Sequence, residues 1–166
     1  NQYPNFTERI ETYIPAEVFK ASDFKENDAI AETLKPYRGA QAFEALRKKT
    51  DDHAREHKRP SVFMFTYGNI NMRIARAQFA GNFFSAAGFD LIDKLGFKTV
   101  EDGIRAAEES SAELVVICSS DEEYGDIAPK IYTALKEKAI VVLAGYPKEL
   151  VEELRKAGME HFIHMR

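Results

Sequence analysis

The side chains that could do chemistry are few, and their spacing narrows what they can do. The chain has four histidines, His53, His57, His161 and His164, and imidazole is the group best suited to ligate a metal or move a proton near neutral pH. His53 and His57 share a face if their segment is helical. No acidic or cysteine third ligand falls in register with them, so they read as part of a charged, solvated helix. His161 and His164 flank an apolar run at odd spacing, which places them on opposite faces of a strand and prevents joint ligation. Cys118, the single cysteine, ends an apolar run and reads as a small buried hydrophobe. Cys118-Ser119-Ser120 has no Gly-x-Ser-x-Gly elbow to expose a nucleophile. One cysteine makes neither an internal disulfide nor a four-cysteine zinc site, which fits a reducing, cytoplasmic compartment. Asp121-Glu122-Glu123 would need carboxylates at the ends of neighbouring strands to hold magnesium, and those ends carry Thr66-Tyr67 and Ser119-Ser120. The acidic run reads instead as a solvated helix start favoured by the helix dipole. The stretch Tyr67 to Arg73 has one glycine and lacks both the dinucleotide fingerprint and the phosphate-loop lysine pair. These readings leave no catalytic set and no metal set.

The elements that must carry these residues follow from pattern. A chain of 166 residues with 45% hydrophobic content is long enough for one ordinary core and is not of disordered composition. Lys and Arg number 23 against 27 acidic residues, a net charge of −4, so there is no basic excess to hold nucleic acid. No apolar stretch approaches the ~20 residues of a membrane helix. Residues 1 to 59 read as a linker and docking arm, with candidate helices from Asp28 to Leu34 (Asn27 as cap) and from Ala40 to about His57, where Phe43, Leu46 and the Arg47 stem share a face. Arg59-Pro60 stops the second helix.

From residue 60 to 166, short apolar runs alternate with amphipathic stretches, the pattern of parallel strands joined by crossover helices. Strands are predicted at Val62 to Thr66, Phe89 to Ile92, Leu114 to Ser119, Ile140 to Ala144 and His161 to Met165. Helices are predicted at Asn71 to Ala87, Thr99 to Ser110, Asp126 to Lys138 and Lys148 to Ala157, with Gly88 and Gly158 as closing caps. The expectation is an α/β flavodoxin-like sheet of order 2-1-3-4-5, with its ligand end beyond the strand carboxyl termini at Tyr67 to Arg76, Ser119 to Tyr124, Gly145 to Pro147 and His164 to Arg166. The first of these helices carries two apolar stripes, Ile74-Ala77-Gly81-Phe84 and Met72-Ala75-Phe79-Phe83-Ala86. That is more apolar surface than one sheet face needs, which leaves open an interaction with another chain or domain.

Several segments together resemble one family. They are Pro36-Tyr37-Arg38-Gly39-Ala40-Gln41-Ala42-Phe43-Glu44-Ala45-Leu46-Arg47, Arg59-Pro60-Ser61-Val62-Phe63, Ala87-Gly88-Phe89-Asp90, and Glu149-Leu150-Val151-Glu152-Glu153-Leu154-Arg155-Lys156-Ala157-Gly158. The chain resembles the carboxyl-terminal, cobalamin-binding-type domain of methylmalonyl-CoA mutase, in the form carried by the small subunit of the two-subunit bacterial enzyme. The resemblance implies that residues 1 to 59 lead from a barrel domain and that the partner is the large subunit. That subunit would hold adenosylcobalamin and isomerise methylmalonyl-CoA to succinyl-CoA.

Cobalamin binding in that family uses an Asp-x-His-x-x-Gly loop after the first strand, whose histidine ligates cobalt and whose aspartate orients it. The matching window here is Asn71-Met72-Arg73-Ile74-Ala75-Arg76. Asn71, Arg73 and Arg76 stand at the Asp, His and Gly positions. An arginine offers only donors, so Arg73 has no lone pair for cobalt. The family's Ser-x-Leu matches Cys118-Ser119-Ser120, and its paired glycines match Ala144-Gly145. The resemblance therefore implies a small-subunit domain that stabilises the heterodimer, with no cofactor, no catalytic residue and no metal of its own. Two other readings stay open: a cobalamin-binding domain with a different ligand set, and a stand-alone small-molecule binder or receiver. On the arm reading, Tyr37, Phe43 and Leu46 should fold back onto the covering helices while Asn1 to Asp23 wander.

Overall fold

The computed structural model describes residues 38–94 and 96–165. The predicted helix from Asp28 to Leu34, the Tyr37 anchor and the tail before Asp23 lie outside the described residues.

Five parallel strands form one sheet of order β2-β1-β3-β4-β5, as the sequence pattern predicts. The strands are β1 (Ser61–Thr66), β2 (Asp90–Asp93), β3 (Leu114–Cys118), β4 (Ile140–Ala144) and β5 (His161–Ile163). Preceding them is α1 (Gln41–Glu56), and joining them are α2 (Ile70–Ala86), α3 (Val100–Ser110), α4 (Asp121–Leu135) and α5 (Val151–Lys156). β1 reads as a continuous apolar run because it is central and covered on both faces, with all its residues buried. Its odd positions Phe63 and Phe65 pack with Val115, Ile117 and Leu143 beneath α3 and α4. Its even positions Val62 and Met64 pack with Val116, Cys118, Val142 and Ala144 beneath Ala77, Ala80 and Phe84 of α2. A one-residue slip in register would exchange these two sets, so the burial of both faces fixes the pairing of β1 with β3, Phe63 opposite Val115.

Caps set where the helices begin and end. The Thr99 side chain accepts from Asp102 N at 3.1 Å, which starts α3 at the predicted pair. Gly88 (φ 86°) and Gly158 (φ 99°) follow α2 and α5 in the left-handed region, as predicted. The prediction for α4 needs correction, because the helix starts at Asp121 and not at Asp126. Ser120 and Glu123 form a reciprocal capping box ahead of it, so the acidic run and Gly125 are inside the helix. α4 also ends earlier than predicted, at Leu135, and two other segments are shorter in the structure: α5 begins only at Val151 and β5 ends at Ile163. Before α5, Pro147 O accepts from both Leu150 N and Val151 N, which makes Lys148 to Leu150 a turn.

The arm also departs from expectation. Phe43 and Leu46 do not fold back; they are 63% and 48% exposed. The contacts of α1 with the sheet domain are polar and begin one turn later. Arg47 Nη1 donates to Ser85 O at 3.0 Å, Arg59 Nη1 donates to Gly88 O at 2.7 Å, and Asp51 pairs with Arg59 at 2.8 Å. The carbonyls at the end of α2 form the electronegative terminus of a helix, where guanidinium groups are held better than a phenyl ring.

Candidate functional site

The carboxyl ends of β1, β3 and β4 converge on a small polar cluster. The chain turns after β1 at Gly68, whose φ is 74°, and Asn69 caps α2 by accepting from Met72 N at 3.2 Å. The short turn has a direct consequence for the predicted site. Asn71, Arg73 and Arg76 fall in the first two turns of α2, so the window that the resemblance aligns with a ligand loop is helical here. Asn71 is exposed. The Arg73 Nη1 donates to Gly68 O at 3.3 Å, and its guanidinium covers the backbone at Gly96.

Arg76 reaches across the sheet end. Its Nη1 donates to Ala144 O at 2.7 Å, its Nη2 pairs with Asp121 Oδ1 at 2.7 Å, and its guanidinium carbon lies 5.8 Å from the centre of the Tyr124 ring. The Tyr124 hydroxyl donates to the same Ala144 carbonyl at 2.6 Å and accepts from Ser119 N at 3.1 Å. Gly145 lines this contact, and a Cβ there would overlap Arg76 Nη1. Burial, the dominant influence, pushes the Tyr124 hydroxyl above its ordinary range despite the nearby arginine.

Glu123 closes the neighbouring space between β1 and β3. Its carboxylate accepts from Asn69 N at 3.1 Å, from Ser120 Oγ at 2.9 Å, from Ser120 N at 3.2 Å, and from Ser119 Oγ. Burial alone would raise this carboxyl, but the hydrogen bonds from Ser119, Ser120 and Asn69 outweigh it and hold it below its ordinary 4.5. Cys118 is buried, and the loss of hydration pushes its thiol up to about 12. It is packed against the core under α2, in keeping with the reading of a small hydrophobe.

The structure therefore brings Arg76, Ser120, Ala144 and Gly145 together, while Asn71 and Arg73 face other neighbours. Sequence reasoning placed Glu123 and Tyr124 at the ligand end of the sheet but took the acidic run as a solvated helix start and assigned neither residue its hydrogen-bonding role. The Ser120-x-x-Glu123 spacing of a capping box was the available signal for Glu123. Among the described residues, no group of three or more His, Cys, Asp or Glu side chains could hold a metal ion. His53 and His57 lie against each other with ring centres 4.6 Å apart and planes tilted by 32°, and His164 lies against Tyr146 at 4.7 Å. A cleft lined by Glu113, Lys138, Ile140 and His161 opens at the opposite end of the sheet. Among the described residues, no helix is long and apolar enough to cross a membrane.

No family model matches the chain. Over its whole length it is 40% identical, across 169 aligned residues, to the methylmalonyl-CoA mutase small subunit of Porphyromonas gingivalis. The chain belongs to the methylmalonyl-CoA mutase small-subunit family. The probable methylmalonyl-CoA mutase small subunit of Mycobacterium tuberculosis is 34% identical over 116 residues, which is 68% of this chain. The small subunit of Streptomyces virginiae is 34% identical over 108 residues. The chain spans only about a quarter of the Porphyromonas small subunit, 26%, and less of the others, 19% and 18%. The sheet end of this chain is built from hydrogen bonds between its own side chains and backbone.

Proposed function

We propose that this chain is a non-catalytic domain of a methylmalonyl-CoA mutase small subunit, which stabilises a heterodimer with the large subunit and does not itself bind cobalamin. The observation that carries the reading is the Arg76 bridge to Ala144 O and Asp121, which fills the groove at the positions that the resemblance aligns with the cofactor pocket. Three further features support it. Arg73 supplies donors where a cobalt ligand must supply a lone pair. Its window is the start of a helix. Ser120, where the family's pocket carries an apolar residue, is buried as the cap of α4. The residues present do not fit the cofactor, so the isomerisation belongs to the partner, and the contribution of this chain is to the assembly. The relatives are named as small subunits, which implies a second subunit. Exposed apolar side chains on α2, Ile70 and Ile74 at 61% and 58%, offer surface for docking.

The test is co-expression of the full chain with the large subunit from the same genome, followed by gel filtration. A stable complex in fixed ratio is expected, with the large subunit less stable when expressed alone. A chain that elutes by itself in the presence of excess large subunit would contradict the proposal and favour a stand-alone binder.

A further inference from the structure

We propose that the groove between the ends of β3 and β4 is a guanidinium slot that the chain fills in cis with Arg76, making this arginine a latch across the carboxyl end of the sheet. The ligand class the slot accepts is a planar, arginine-like cation. The inference rests on the reading that no cofactor tail enters this groove.

The three walls of the slot come from two elements, β4 and α4, and the carbonyl and the ring are held by contacts that do not involve Arg76. The first is the Ala144 carbonyl at the end of β4, which is turned towards the β3 side because the next amide, Gly145 N, donates to Ile163 O of β5 at 2.8 Å. The second is the Tyr124 ring, fully buried and pinned through its hydroxyl between Ser119 N and Ala144 O. The third is Asp121 at the start of α4, placed by the Ser120–Glu123 capping box. A carbonyl, a carboxylate and a ring face together match the two in-plane N–H directions and the face of a guanidinium. An ammonium group is compact and strongly hydrated and has neither a planar face for the ring nor two forked in-plane donors for the two acceptors.

Gly145 completes the fit. Its φ is 149°, a region that side chains rarely adopt, and a Cβ would stand where Nη1 lies. The glycine therefore leaves room for a cation at this wall. The Arg76 side chain is only 20% exposed while that of Asp121 is 53% exposed, so the slot is buried on its Ala144 and Tyr124 sides and open to solvent at Asp121. In this arrangement α2 is tied to β4 and α4 by one side chain, and the groove is shut without any external ligand.

The experiment is chemical rescue on the full chain, with no cobalamin present. Arg76→Ala is expected to lower the thermal midpoint by about 5 °C. Millimolar ethylguanidinium should then raise it again in a saturable manner, as a ligand bound only to the folded state does. Ethylammonium at the same concentration should not. Ethylguanidinium should leave the wild-type midpoint and that of an exposed control, Arg105→Ala, unchanged. Recovery equal for the two cations, or no recovery, would overturn the slot. Should Arg76→Ala fail to fold, Arg76→Lys keeps the stem and the charge. It is expected to lose most of the latch, and a lysine variant as stable as wild type overturns the proposal. Uptake of hydroxocobalamin by the wild-type chain would break the underlying reading, whereas failed rescue in a chain that takes up none would break the latch alone.

Discussion

Removing the Glu123 carboxylate should loosen the strand ends by an amount that can be worked from its partners. In Glu123→Ala, Asn69 N becomes available to solvent, since Asn69 is exposed, so its loss is small. The Ser119 hydroxyl retains Tyr67 O as an acceptor at 2.9 Å and is not orphaned. The Ser120 amide belongs to a residue only 4% exposed and loses its charged acceptor. A lost cap costs about 1 kcal/mol and a buried donor left without a partner about 1–2 kcal/mol more, so the total is ~2–3 kcal/mol. For a domain of this size that corresponds to a midpoint lower by about 10 °C.

The pH dependence has a definite sign. The folded carboxyl titrates below its ordinary 4.5, so the unfolded chain takes up the proton first. The stabilisation is therefore complete at neutral pH and is lost as pH falls below 4.5 through the folded value. Thermal melts of wild type and variant between pH 7 and pH 3 provide the assay. A gap near 10 °C at pH 7 that narrows in acid is expected. A gap under about 3 °C, or one that does not change with pH, would refute the assignment of Glu123 as the ionised tie between the loop after β1 and α4.

Other outcomes follow from single contacts. Gly103→Ala places a Cβ against the Phe65 ring, in a core where Phe65 has no exposed surface; about 3 kcal/mol of overpacking less ~1 of helix propensity leaves a net loss near 2 kcal/mol, measurable by urea denaturation. Cys118, with its thiol pushed up to about 12, should be unreactive to a maleimide at pH 7.5 in the folded chain and label quickly in denaturant, and fast labelling of the native protein would contradict its burial. Arg73→His should not bring cobalamin binding by titration, because Arg76 still bridges Ala144 O and Asp121; tight, saturable binding would mean that the pocket survives intact.

The sheet order was legible because its signals are local. The central strand β1 has an unbroken apolar run from Val62 to Phe65, Gly88 and Gly158 mark helix ends, and Thr99 with Asp102 marks a start, each signal confined to a few residues. The start of α4 was obscured because Gly125 and Pro129 interrupt its pattern, and Pro129 lies inside the helix. The span of α1 was legible, but its attachment was misjudged because Phe43 and Leu46 look like anchors, while the contacts run through Arg47 and Arg59 to the carbonyls of Ser85 and Gly88. No periodicity encodes that contact. The same holds at the candidate site. Arg76 could be seen to be unsuited to a glycine position, but its partners Asp121 and Ala144 stand 45 and 68 residues away, and only the assembled sheet brings them together.

The most direct test of the central claim is equilibrium uptake of hydroxocobalamin by the purified full chain, followed by gel filtration with absorbance read at the cofactor bands. A protein peak without the red cofactor is predicted, since Arg76 fills the groove and Arg73 has no lone pair to offer. Stoichiometric co-elution of cobalamin with the protein would contradict the account and make this domain a cofactor carrier with a ligand set of its own.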